Sequence, residues 1–281
     1  MSTHGEGRQN GGGGRAYMQA QYLYPAVGLV VGLVVGLTGV GGGSLMTPTL
    51  VFLFKVPLDL AVGTDLAFAS LTKIVGVAAH GIRGNVNWRI VGRLAAGSIP
   101  ASIATILVMN RFRAHGKPLD HILLPLLGVS LIITALAVIL RKRITTFGGK
   151  WLDLDEAAAN RLATGVGVVL GVMVTLTSVG AGAIGVAALM LIYSKLRGAE
   201  VVGSDLAHAI PLVTIAGLGH LQLGNIDPRL LIGLLIGSVP GIYIGSTISS
   251  RLPEDLMRHI LAAVLMTMGL SCVLCSSPPS K

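Results

Sequence analysis

The apolar residues of this chain come in long uninterrupted blocks, not in amphipathic stripes. From Ala16 to Phe54 there is no Asp, Glu, Lys or Arg, and the same holds for Leu162–Ser194. A spanning helix needs about 20 mostly apolar residues, and in lipid the backbone polar groups must be satisfied within the helix itself. Several such blocks in one chain define an all-α integral membrane protein. The pattern predicts about eight spans, near residues 21–54, 59–82, 90–110, 119–140, 159–194, 200–222, 229–250 and 256–275. The first and fifth are too long to be simple. At 1.5 Å per residue the first charge-free run would reach ~58 Å, against a hydrocarbon core of about 30 Å. Both contain a break. The first carries Gly39-Val40-Gly41-Gly42-Gly43-Ser44 and then Pro48, and the fifth carries Ser178-Val179-Gly180-Ala181-Gly182-Ala183. Glycine costs about 1 kcal/mol in a helix relative to Ala, so each block reads as a broken or re-entrant helix.

The two breaks belong to an internal repeat. At a fixed offset of 140 residues, Gly63-Thr64-Asp65-Leu66-Ala67 falls on Gly203-Ser204-Asp205-Leu206-Ala207. At the same offset His80 falls on His220, Gly97-Ser98-Ile99-Pro100 on Gly237-Ser238-Val239-Pro240, and Gly42 on Gly182. One offset serving all these matches indicates duplication. The domain reading is a disordered N-terminal tail (1–20), a first four-span repeat (21–141), a loop (142–158), a second repeat (159–276) and a C-terminal tail (277–281). Four full spans per half would make the repeats parallel; hairpins at the breaks would invert the second. Either way Arg83–Arg93 and Arg141–Lys150 share one side, and the Arg141-Lys142-Arg143 cluster makes that side cytoplasmic.

Charge changes this picture little. The formal net charge of +9 comes from cations at block ends, such as Arg111, Arg113, Lys117, Lys195 and Arg197, where they read as topology signals and headgroup contacts. With 4% aromatic residues, no stacking surface for nucleic acid is visible. Cys272 and Cys275 form a C-x-x-C at the end of the last block, which reads first as two small apolar residues near a helix end and second as a redox pair. The histidines lack partners at metal-ligand spacing, and no H-E-x-x-H, G-x-S-x-G or nucleotide-binding loop is present. The chain is expected to be no enzyme, to carry neither cofactor nor metal, and to have no catalytic residues.

Candidate chemistry gathers around the breaks. An unwound stretch exposes backbone N–H groups, and half-helix N-termini present partial positive charge, so together they can hold an anion. This points to Gly41, Gly42, Gly43, Ser44, Ser178 and Gly182, with the hydroxyls of Thr64 and Ser204, as substrate contacts. Close helix packing is the competing role for the glycines. Ionisable groups inside spans are costly and usually face a cavity or each other. Lys73 lies in the second span and has Val213 as its repeat equivalent, which favours an anion-binding role. Asp65, Asp205, His208, the His80/His220 pair and Arg83 are candidates for proton or anion coupling, with helix capping as the alternative for the aspartates.

At these residues the chain resembles a known family. Gly36-Leu37-Thr38-Gly39-Val40-Gly41-Gly42-Gly43-Ser44 with Pro48, then Ala61-Val62-Gly63-Thr64-Asp65, Thr72-Lys73, His80, Gly84 and Asn87-Trp88, are similar to the TauE/SafE (TSUP) sulfite exporters. The likeness runs from about Tyr22 to Leu274; the second half departs from the Gly-rich pattern at Ala181 and Ala183. The resemblance implies a multi-pass inner-membrane secondary transporter exporting small sulfur-containing anions such as sulfite, thiosulfate or sulfoacetate. The expected mechanism is alternating access around a central site, with proton coupling. The expected partners are the small anion and the lipid bilayer, with room for a homodimer. A passive anion channel, an importer of another organic anion, a thiol-redox membrane protein and a non-transporting partner subunit stand as alternatives.

Overall fold

The computed structural model describes residues 11–38, 43–80, 86–115, 120–151, 155–194, 196–249 and 253–276. Among them there are ten helices and no strand. They are α1 (Gly11–Thr38), α2 (Gly43–Phe54), α3 (Leu58–His80), α4 (Trp88–Ala114), α5 (Asp120–Trp151), α6 (Glu156–Thr177), α7 (Ala183–Ile192), α8 (Gly198–Gln222), α9 (Pro228–Ser249) and α10 (Glu254–Ser276). By length and composition, α4, α5, α6, α8, α9 and α10 can each cross a membrane. This is a polytopic membrane protein.

Each of the two overlong blocks is a pair of helices. The first is α1 and α2; Gly39, Val40, Gly41 and Gly42 between them lie outside the described residues. In the second, Ser178 closes α6 with a φ of 59°, its N–H donating to the Val174 carbonyl at 2.8 Å. Gly180 and Gly182 follow at φ 118° and 123°, a region that glycine alone enters without steric cost. The helix restarts at Ala183 and runs only ten residues, or ~15 Å, too short to cross. The Tyr193 hydroxyl at its far end donates to Asn160 Oδ1 at 3.1 Å. Since Asn160 lies in the first turns of α6, α7 turns back towards the end where α6 began.

Glycines set the closest packing. A Cβ on Gly28, Gly32 or Gly36 of α1 would lie 2.2, 2.5 or 2.4 Å from the carbonyl oxygens of Leu234, Ser238 and Ile242 on α9. Likewise a Cβ on Gly167 or Gly171 of α6 would lie 2.3 or 2.4 Å from the carbonyl oxygens of Leu94 and Ser98 on α4. Backbones approach this closely only where there is no side chain, the device membrane helices use in place of a hydrophobic drive. Leu94 and Ser98 stand 140 residues before Leu234 and Ser238, so the two packings use matched positions.

Direction follows from which residues meet. Contacts between α1 and α9 rise together in number, as do those between α4 and α6, so each pair runs parallel. The pair α3 and α8 runs the other way. Ser70 and Thr214 share a 2.8 Å hydroxyl hydrogen bond, while Gly217 faces Leu66 and Ala67. Likewise Gly128 and Ile132 of α5 meet Val273 and Gly269 of α10 in falling order. Thus α3 and α8, which the sequence match equates, lie side by side in opposite directions.

The interior is filled by Met46, Leu50, Leu66, Phe68, Leu127, Leu131, Leu170 and Leu212, all fully buried. Leu107, Ile236, Tyr243 and Leu274 are at least 60% exposed, an apolar outer surface suited to lipid.

Candidate functional site

Buried polar side chains collect where the short helices α2 and α7 begin. On α2, the Thr47 N–H donates to Asp65 Oδ2 at 3.1 Å and the Thr47 hydroxyl donates to the same oxygen at 2.5 Å. Asp65 comes from α3, is wholly buried, and leaves Oδ1 without a hydrogen-bond partner. A carboxylate at the start of a helix complements its exposed amides and dipole.

Asp205 holds the matching place on α8, but it is held differently. Its Oδ1 occupies the space beside α7 where a side chain would begin on Gly185: a Cβ there would be 1.9 Å away. That oxygen also has no hydrogen-bond partner. Ala187 stands at the offset position of Thr47, so no hydroxyl is available to tie the acid down.

Lys73 lies in the field of both carboxylates, Asp205 more strongly than Asp65. It is buried, and among the described residues no ion pair or hydrogen bond holds its ammonium. Ser178, in the left-handed turn closing α6, has a buried hydroxyl that lies near Asp65 without completing a hydrogen bond. Ser44 is buried in the first turn of α2. Gly43 begins that helix, and Gly182 immediately precedes α7. The structure therefore brings Lys73, Asp65, Asp205, Ser178 and the starts of α2 and α7 together.

The other residues singled out in the sequence have different surroundings. Thr64 Oγ1 accepts the Asp227 N–H at 3.1 Å, and Ser204 Oγ accepts the Asn87 N–H at 2.9 Å while donating to Glu200 O at 2.7 Å. Both hydroxyls are thus engaged in fastening a helix start of one half to a helix of the other. Gly63 tightens the first tie, since a Cβ on it would be 2.0 Å from the Asn225 carbonyl. His220 uses both ring nitrogens. Nε2 donates to the Thr175 carbonyl at 2.9 Å, and Nδ1 faces the Asn225 side-chain amide at 3.4 Å. A carbonyl only accepts, so the proton sits on Nε2. His208 is less constrained: Nε2 pairs with Ser98 Oγ at 2.7 Å, and Nδ1 is buried with no partner. Gly41, Gly42 and Arg83 lie outside the described residues, as does the side chain of His80, the last residue of α3. Cys272 is buried and Cys275 exposed, both as free thiols.

The sequence reading missed Thr47, Ser98, Ser102 and Thr175. Ser102 Oγ and Thr175 Oγ1 are 2.7 Å apart across α4 and α6. Ser98 at least had a signal, since it lies in the Gly-Ser-Ile-Pro segment that recurs at Ser238. Thr47 had none: its role depends on a carboxylate 18 residues away in the chain.

A many-span helical protein in which the buried Asp65, Asp205 and Lys73 gather near two helix breaks has the layout of a solute-handling membrane protein, not of a lipid-anchored or soluble domain. Comparison with known sequences gives the group. Residues 24–272 match the profile of the family described as sulfite exporter TauE/SafE, and the chain belongs to that family. It is similar to the probable membrane transporter protein YjnA of Bacillus subtilis, at 37% identity over 88% of this chain and 97% of the relative. It is also similar to YdhB of the same organism (25% identity, 87% and 96%) and to MJ0441 of Methanocaldococcus jannaschii (26% identity, 88% and 93%), both named as probable membrane transporter proteins. No solved structure matches the chain.

Proposed function

We propose that the protein is a secondary transporter that moves small sulfur-containing anions across the cell membrane, in the export direction carried by its family's description. The observation that carries this reading is Lys73: a buried lysine with no hydrogen bond or ion pair among the described residues, in the field of Asp65 and Asp205, the acids that meet the starts of two short helices. A buried ammonium in such a state is costly, and an anion completes it. The first amides of α2 and α7 have no carbonyl partner within their own helices, and the Ser178 hydroxyl is unpaired. Together with Lys73 these groups offer the several donors that a sulfonate or sulfite needs. Thr64 and Ser204 hold the surrounding frame.

In this reading the halves are inverted equivalents, each of four spans with its broken block folded into a hairpin. Alternating access arises as α1 with α9 and α4 with α6 move as parallel pairs around the central helices α3 and α8. The antiparallel course of α3 and α8 supports it, as does the use of matched glycine contacts in the two parallel pairs.

The test is binding followed by flux. Detergent-purified protein is melted in the presence of sulfite, thiosulfate, sulfoacetate, taurine, acetate, chloride and phosphate. A bound ligand at 100 times its Kd stabilises by about 2.7 kcal/mol. A shift restricted to sulfur anions and weakened at least about tenfold in affinity by Lys73→Met, or about 1.4 kcal/mol, is the expected result. Equal shifts in wild type and Lys73→Met remove Lys73 from the site. In proteoliposomes, trans-stimulation of labelled anion separates a carrier from a channel.

A further inference from the structure

Asp65 and Asp205 occupy matched positions at the two breaks, yet their surroundings differ. Asp65 Oδ2 receives two hydrogen bonds from Thr47 and is thereby committed to holding α2. Asp205 has no Thr: the Gly182 backbone amide is its donor, and its Oδ1 lies unpaired against the bare backbone at Gly185. It is also the carboxylate whose field acts more strongly on Lys73. Before any substrate arrives, Asp205 therefore occupies what an incoming anion would seek: the start of α7 and the field of Lys73.

Count the charges in that space. Lys73 contributes one positive charge, and Asp65 and Asp205 contribute a negative charge each when ionised. An added anion would raise the uncompensated negative charge inside an apolar core, where unpaired charge is severely penalised. A proton is the smallest particle that offsets one unit of this excess. Both acids keep an unpartnered Oδ1, but Asp65 Oδ2 is engaged by the Thr47 amide and hydroxyl, whereas Asp205 has no hydroxyl to hold it.

We propose that Asp205 is a built-in competitor of the substrate anion, and that it takes up one proton on Oδ1 when the anion binds beside Lys73. The proton comes from water on the side where the anion enters and leaves with the anion on the other side, so anion and proton travel together one for one. This rests on the anion site described above and names its coupling ion and the residue that carries it. Other groups around Asp205 are accounted for. On α3 the charges are Lys73 and Asp65. On α8 itself His208 lies three residues on, paired through Nε2 with Ser98 of α4. The α6 break supplies Ser178, and the first turn of α7, Ala183-Ile184-Gly185, has no titratable side chain.

The experiment uses thiosulfate and sulfoacetate, whose charge is constant through the neutral range, with the full-length purified protein. Affinity is measured by thermal shift across a pH series for wild type and Asp205→Asn. If binding takes up one proton, wild-type affinity weakens by about tenfold for each pH unit on the alkaline side, while Asp205→Asn binds with no such slope. A wild type whose affinity does not change with pH overturns the coupling but leaves the anion site standing. So does an Asp205→Asn variant that keeps the full slope. Absence of binding by either anion at any pH is a different failure, because it removes the anion site and the coupling with it. A second measurement needs no variant. Wild-type proteoliposomes containing a pH dye are given a thiosulfate gradient, and one proton is expected to move with each anion, in the same direction. Anion flux with no accompanying proton flux refutes the proposal.

Discussion

The two breaks in this molecule carry the same acid at the same register and put it to different use. Around α2, Asp65 is tied to Thr47 by an amide and a hydroxyl. Around α7, Asp205 is met by the Gly182 amide and lies against Gly185, with no hydroxyl to hold it; each acid keeps an Oδ1 that bonds to nothing. Two further differences point the same way. Lys73 of α3 has Val213 as its equivalent, and His208 of α8 has Phe68. The two acids stand 140 residues apart in matching segments, and only Asp65 is held by a hydroxyl. The lesson is that matched positions in the sequence locate the buried polar cluster, while departures from the match set how each acid is held there.

The comparison can be broken most sharply at the acids. Asp65→Ala removes the acceptor for two buried donors on Thr47, and each orphaned donor costs about 1–3 kcal/mol. Asp65→Ala is therefore expected to lower the melting temperature severely, while Asp205→Asn leaves it near that of wild type. Equal destabilisation by the two would show that both acids are pins. Next comes Gly185→Ala. Its Cβ would lie 1.9 Å from Asp205 Oδ1, so the carboxylate must move. Overpacking of this kind costs about 1–3 kcal/mol, and anion binding should change with it; an unaltered melting curve would show that Asp205 is not confined against α7.

A smaller effect is expected from Thr47→Val, which removes the hydroxyl and keeps the amide. The loss should be about 1 kcal/mol, seen as a modest fall in melting temperature with the pH response of anion binding retained. The smallest is Ser98→Ala, which leaves His208 Nε2 without its 2.7 Å partner. It should cost roughly 0.5–1.5 kcal/mol and leave the Asp65 side untouched. Combined with Asp65→Ala, its effect should simply add, as it does for sites without shared partners. A non-additive pair would mean that the halves are coupled through α3 and α8.

Much of this was legible in the chain. Uninterrupted apolar blocks announced membrane helices because lipid leaves the backbone no other partner. Overlong blocks with clustered glycine announced breaks, and the structure places helix ends at Thr38 and Thr177 and helix starts at Gly43 and Ala183. The matched Asp65 and Asp205 marked the level at which buried polar side chains gather. Roles within it were harder to read. Thr64 and Ser204 have the hydroxyls a substrate would use, but those groups fasten the Asp227 and Asn87 amides. The His80/His220 pair drew attention because it recurs, yet His220 is held at both nitrogens, whereas His208, without an equivalent, keeps one free.

The sequence by itself determined that the chain lives in a membrane, where its helices break, and which charged residues are carried inside, because those are local matters of length, hydropathy and backbone freedom. Only the tertiary structure decided that α3 and α8 run antiparallel, that α7 folds back along α6, and that Thr47 reaches one aspartate while the other meets a bare glycine. Those outcomes depend on residues distant in the chain arriving within hydrogen-bond range. The range of such a contact is a few ångströms, and no local pattern in the sequence encodes it.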